Sequence, residues 1–236
     1  MFKLNKLTPR VGSMLNRFKS TLVIVEHDNQ NITPITLNAI TAATKIPKNE
    51  TVTCLIVGKD CGKVAESCSK IAGVKKVLVA DNETFRGFLP EALAPFIVQS
   101  QKANSFSHIT MGSSALGKNL LPRVAALLDV QPVSDIIGME DESTFIRTIY
   151  AGNAIQTIKS LDEVKLFTVR GTAYPAAALD SSDSPAEVVK AEGEASNDLS
   201  SFVGQELAKS DRPSLTAAKV IVSGGRGLQN GESNFK

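Results

Sequence analysis

Thr21–Gly58, TLVIVEHDNQNITPITLNAITAATKIPKNETVTCLIVG, spells one complete β–α–β unit. Thr21–Glu26 is a short β-branched, apolar run that reads as a strand. Thr33 then offers an N-cap and Pro34 a first-turn proline. Ile35, Ile40 and Ala43 follow at mostly helical spacing, and Pro47 ends that helix. Val52–Val57 is the second strand, closed by Gly58.

The pattern repeats downstream. Val64–Ala72 reads as a helix closed by Gly73, and Val77–Ala80 as a strand. Glu91–Ala103 reads as a helix whose start Pro95 weakens. His108–Met111 is a strand followed by Gly112, and Leu116–Leu128 a helix that Pro122 is expected to divide. Strands alternating with helices predict an α/β fold with a mostly parallel sheet of βαβ units. After Asp129 the alternation stops. Phe145–Tyr150, Ala154–Ile158 and Lys165–Val169 read as strands joined by turns at Gly152-Asn153 and Asp162-Glu163. They are expected to append antiparallel hairpins.

Ala173–Ser201 is rich in Ala and Ser, and its acidic side chains suggest a linker with at most a short helix. Lys219–Val222 then reads as a new strand running into Ser223-Gly224-Gly225-Arg226-Gly227. A strand entering a glycine-rich turn is how nucleotide-binding domains commonly open. Nine residues follow Gly227, where a domain needs roughly 50 or more, so that domain is expected to be incomplete here.

The net charge of +2 conceals an uneven distribution. Lys3, Lys6, Arg10, Arg17 and Lys19 precede the first acidic residue, Glu26. Without residues 1–19, 21 basic side chains face 24 acidic ones, and no basic stripe remains to draw in nucleic acid. The leader intersperses Phe2, Leu4, Leu7, Met14, Leu15 and Phe18 with its charges, as a mitochondrial transit peptide does, with processing expected near Ser20. A disordered basic tail is the alternative. No apolar run reaches the roughly 18–20 residues of a membrane span. Cys54, Cys61 and Cys68 include no CxxC pair, and buried, unbonded thiols are expected.

Two turns invite a chemical reading. Gly112-Ser113-Ser114-Ala115-Leu116-Gly117-Lys118-Asn119 nearly spells a phosphate loop, but Asn119 stands where a magnesium-binding hydroxyl is needed. Pro122 is also expected to break the helix behind it. A glycine-lined strand-to-helix turn is the simpler reading. In Ser223–Gly227, glycines let backbone N–H groups approach a pyrophosphate, and Arg226 adds a fixed positive fork. A tight connection with a solvated Arg226 fits the spacing equally well. Neither His27 nor His108 sits in a hydrolase constellation.

Several blocks together resemble the alpha subunit of electron transfer flavoproteins. They are Ser20–His27, Pro34–Thr44, Lys76–Ala80, His108–Val124, Pro132–Ile137, Thr144–Ala154, Val169–Thr172 and Ser210–Lys236. The resemblance implies a mitochondrial matrix heterodimer with a beta subunit, carrying one FAD. It implies an electron carrier, not an enzyme, that takes electrons from acyl-CoA dehydrogenases in fatty acid β-oxidation to a ubiquinone oxidoreductase. It implies AMP in the beta subunit and not here, no nucleic-acid partner and no stable membrane insertion. The implied organisation is a transit peptide over 1–19, an α/β domain packing on beta over 20–172, an acidic linker over 173–209 and the beginning of an FAD domain over 210–236. Arg226 is the FAD contact that carries over, with Gly224 and Gly225 as weaker backbone contacts and most of the site expected beyond Lys236. A flavin-less module that only binds beta is the competing reading.

Overall fold

The computed structural model describes residues 19–195, 199–206, 215, 218, 220–225 and 227. Nine strands form one sheet: β1 Lys19–Val25, β2 Asn49–Gly58, β3 Val74–Asp81, β4 His108–Gly112, β5 Pro132–Met139, β6 Thr144–Ile149, β7 Ala154–Lys159, β8 Lys165–Val169 and β9 Glu187–Lys190. The helices are α1 Pro34–Thr44, α2 Gly62–Ser69, α3 Pro90–Asn104 and α4 Ala115–Leu128. The strand order is β7-β6-β5-β8-β4-β1-β2-β3-β9, parallel except at the β5–β6 and β6–β7 pairings.

Successive side chains of a strand point to opposite faces. In β1, Leu22 and Ile24 enter one core with Leu55, Leu78, Phe96, Leu120 and Val124. Val23 and Val25 enter the other with Ile40, Cys54, Ile56, Val64 and Cys68. One face therefore carries α3 and α4, and the other α1 and α2. Burial on both faces is why the central strands are continuously apolar. The mostly parallel α/β sheet with appended antiparallel strands is thus as expected.

Two expectations need correction, and one strand was not anticipated. Lys165–Val169 does not extend the hairpins: β8 inserts between β4 and β5 and runs parallel to both. Its Leu166, Phe167, Thr168 and Val169 are all buried, which suits a central strand and not an edge. Pro132–Met139, which carries no clean alternation, is strand β5, with Pro132 tolerated as its first residue. Pro122 does not divide α4, which runs unbroken from its Ser114 cap to Asp129. Leu120, Leu121, Val124 and Ala125 are buried around the proline. Burial on that scale, about 1.5–3 kcal/mol for each large side chain, offsets the roughly 3 kcal/mol cost of an internal proline.

The acidic stretch does more than connect. Glu187–Lys190 pairs with β3 as the edge strand β9, and its flanking charges suit an edge. Ahead of it, the Ala177 N–H donates to Leu37 O at 3.2 Å and the Ala186 N–H to Ser69 O at 2.7 Å. Cys54, Cys61 and Cys68 are buried and unbonded, as the sequence indicated.

Candidate functional site at the carboxyl edge of the sheet

The chain runs from β1 through β2 to β3 on one side, then crosses back past β1 to β4. The carboxyl ends of β1 and β4 therefore flank a topological switch point, where open α/β sheets leave a crevice. A crevice of about 460 Å³ lies there, lined by Glu26, Thr33, Pro34, Ile35, Asn38, Ser113, Ser114, Lys118, Asp135, Arg170, Gly171 and Thr172.

The strand ends and the first turns of α1 and α4 place these groups. The Glu26 carbonyl accepts from Thr33 N–H and Thr33 Oγ1, both at 3.0 Å, which fixes the entry to α1. Across the crevice, Asp135 sits in a bulge of β5 at φ 59°, a conformation that Asp tolerates better than most residues. Its N–H donates to Thr168 Oγ1 at 2.8 Å. Arg170 donates to Asp135 Oδ2 from Nε at 3.0 Å and also from Nη2. Partial burial pushes the Asp135 carboxyl up, but Arg170, the Ser113 hydroxyl and Lys118 outweigh it and hold it below the usual range. Arg170 is held correspondingly high by Asp135. The crevice thus carries Glu26 and Asp135 against Lys118 and Arg170, with no excess positive charge.

Three backbone donors of the phosphate-loop-like turn are committed internally. Ser113 N–H donates to Val169 O at 2.8 Å, Gly117 N–H to Ser114 Oγ at 3.0 Å, and Lys118 N–H to Ser114 O at 3.0 Å. A phosphate cradle needs such N–H groups free and converging. Gly112 faces Ile35, whose Cγ1 would lie 2.8 Å from an added Cβ. The glycines here serve close packing of α1 and α4 on the strand ends. Asp135, Arg170 and Glu26, which organise the crevice, carry no local motif; only the fold brings them together.

Neither histidine is poised for proton transfer. Burial lowers both, and each is neutral at pH 7. His108 donates from Nε2 to Glu142 O at 2.7 Å, at the opposite end of β4 from the crevice. Burial pushes the Cys61 thiol up to about 12. Among the described residues no cluster of three or more His, Cys, Asp or Glu could hold a metal.

Arg226 lies outside the described residues. Its neighbours Gly224 and Gly225 are exposed, and a Cβ on Gly225 or Gly227 would meet nothing within 4 Å. Of the expected strand Lys219–Val222, Lys219 lies outside the described residues; Val220, Ile221 and Val222 are 81%, 55% and 79% exposed and are in no described strand. No described helix is long and apolar enough to cross a membrane.

The signature of the electron transfer flavoprotein domain matches residues 21–195. The chain is 47% identical over 238 residues to a probable electron transfer flavoprotein subunit alpha, mitochondrial, of Caenorhabditis elegans, covering 100% of this chain and 70% of the relative. It is 49% identical over 215 residues to the subunit alpha of Pseudomonas aeruginosa, covering 91% and 67%. It is 44% identical over 234 residues to the mitochondrial subunit alpha of Dictyostelium discoideum, covering 94% and 65%. The chain spans about two thirds of the length of these relatives.

Proposed function

The chain belongs to the electron transfer flavoprotein family as an alpha subunit, and from that premise we propose that it works in the mitochondrial matrix as half of an FAD-carrying electron shuttle. Family members are electron carriers and transform no organic substrate of their own. The carrying observation is identity of 47% across the full chain, which includes the glycine-rich turn at Ser223–Gly227 as well as the α/β domain. The proposed route takes electrons from acyl-CoA dehydrogenases in fatty acid β-oxidation to a membrane ubiquinone oxidoreductase.

The partner is the beta subunit, with which the chain forms a heterodimer. A surface suited to a protein partner supports this reading. The β6–β7 hairpin ends on Tyr150, Ala151 and Gly152, all at positive φ, with Tyr150 79% exposed. Ile155, on the edge strand β7, is 71% exposed, and Leu161, past the far end of that strand, 88%. Large apolar side chains grouped on one exposed edge mark interaction sites. AMP belongs to the beta subunit in this reading, in keeping with the turn at Gly112–Lys118, where the Ser113, Gly117 and Lys118 N–H groups already donate within the protein.

FAD is proposed to engage the segment around Arg226, whose guanidinium suits the pyrophosphate or an anionic flavin, with Gly224 and Gly225 giving backbone access. When bound, the flavin supplies the redox chemistry and the protein sets its potential by charge and hydrogen bonds. A second reading is favoured by the open setting of Gly225: the domain binds beta and contributes no flavin contact. Co-expression with the beta subunit separates the two. Stoichiometric yellow flavin, reducible by an acyl-CoA dehydrogenase, is the expected result where the alpha chain carries the rest of the FAD domain beyond Lys236. A colourless heterodimer leaves the interaction-module reading standing.

A further inference from the structure

Beyond β9 the chain stays on the surface of α3. Ala191 is 7% exposed and its N–H donates to Val79 O at 2.8 Å, extending the β9 pairing. Gly193 sits at φ 148°, and an added Cβ would fall 2.8 Å from Phe96 Cε2 and 2.9 Å from Gln99 Oε1. The Gln99 side chain brackets the next residue, accepting from Glu194 N–H at 2.8 Å and donating to Glu194 O at 3.5 Å. Ala195 packs on the core between sheet and α3.

A second contact lies further along. Phe202 is laid against Gly87 so closely that a Cβ there would be 2.1 Å from its Cδ2 and 2.4 Å from its Cγ. Gly87 has φ 77°, so it is held as glycine twice over, by backbone conformation and by the ring. The Arg86 guanidinium stands 5.8 Å from the ring centroid, and Arg86 pairs with Glu83 at 3.6 Å. Ser200 Oγ reaches Glu91 Oε2, on the first turn of α3, at 3.5 Å. Past the ring, residues 203–206 are all exposed, Val203 at 96%.

We propose that Phe202, seated on Gly87, is a clip that fastens the chain beyond β9 to the domain, in addition to the contacts that Ala191–Ala195 make beside α3. A four-residue edge strand has few pairings of its own and opens readily. The clip restrains it from the far side.

The test uses the full chain with Phe202→Ala and Phe202→Trp, reading the rate at which trypsin cuts after Lys190 in β9. Cleavage of a transiently opened segment follows the population of its open form. Losing an aromatic contact together with a cation–π contact at a half-exposed site is expected to speed the Lys190 cut about tenfold. Phe202→Trp is expected to keep the wild-type rate, and hydrogen exchange at Ile24 and Leu55 to stay unchanged in both variants. A rate for Phe202→Ala within about twofold of wild type overturns the clip. So does Phe202→Trp behaving like Phe202→Ala, or faster exchange at Ile24 and Leu55, which would make the effect global.

Discussion

A Cβ on Gly117 would stand 2.0 Å from the carbonyl oxygen of Gly112. The first turn of α4 rests directly on the end of β4, and this contact decides how the near-phosphate-loop sequence is used. Replacing glycine by alanine inside a helix ordinarily stabilises by roughly 0.8–1.0 kcal/mol. Overpacking against backbone costs about 1–3 kcal/mol or more, and backbone cannot swing aside. The clash wins, so Gly117→Ala is expected to lower stability by about 1–2 kcal/mol net in urea unfolding. Unchanged or raised stability would show that α4 is free to shift.

Lys118 follows from the same geometry. With the N–H groups of Ser113, Gly117 and Lys118 all donating within the protein, the turn has no cradle to offer a triphosphate. Lys118→Ala is therefore expected to leave adenine-nucleotide binding at the same undetectable level as wild type in calorimetric titration with Mg-ATP. Binding by the wild-type chain that the substitution abolishes would restore the ATPase reading.

The course of the central strands was legible because parallel strands buried on both faces are near-continuously apolar, as Leu22–Val25, Cys54–Val57 and Val77–Ala80 are. Lys165–Val169 was legible as a strand but not in its pairing. Its neighbours across the sheet, Ile109 and Val133, are far away in sequence, and no local pattern distinguishes a returning central strand from a third hairpin arm. Strand β9 was hidden by the composition around it, since Val188 and Val189 are two apolar residues in an acidic stretch. The crevice pair Asp135–Arg170 was equally hidden: 35 residues separate them, and only the insertion of β8 beside β5 makes them neighbours.

Stability should depend on pH through the buried histidines. Burial holds the folded pKa of His27 and His108 below the ordinary 6.5. Between the folded pKa and 6.5 the unfolded chain binds more protons than the native one. Unfolding takes up protons there, so stability rises with pH through that window and levels off above it. The slope is at most about 1.4 kcal/mol per pH unit for each histidine. Urea midpoints at pH 7.5, 6.5 and 5.5 should fall in that order, and His108→Gln should flatten the decline. The depressed carboxyls of Asp135 and Glu142 lose their contribution only at lower pH, as pH falls through their folded pKa values. Midpoints that do not change from 7.5 to 5.5 would contradict the assignment.

Targeting rests on the five basic residues that precede Glu26; Lys3, Lys6, Arg10 and Arg17 lie outside the described residues, and Lys19 is the first residue of β1. Residues 1–30 fused to a fluorescent reporter are expected to carry it into the mitochondrial matrix, and the mature amino terminus should lie near Ser20. A cytosolic reporter that keeps Met1 would remove the transit-peptide reading.

Arg226 is the residue on which the flavin proposal is most sharply tested. A permanent cation beside the ring stabilises the anionic reduced flavin more than the neutral oxidised one, so it raises the reduction potential. Its planar fork adds directed hydrogen bonds that a lysine ammonium cannot reproduce. Replacement by Lys keeps the charge and loses the fork; replacement by Ala loses both. In the heterodimer reconstituted with FAD, the potential should therefore descend from wild type to Arg226→Lys to Arg226→Ala. A charge-assisted hydrogen bond is worth about 1.5–3 kcal/mol, so the Ala variant should fall by on the order of 65–130 mV for a one-electron couple. FAD affinity should follow the same order if the fork also holds the pyrophosphate. A potential in Arg226→Ala equal to wild type, with flavin still bound in full stoichiometry, would place Arg226 outside the site. The glycines would then have to be tested as backbone donors on their own.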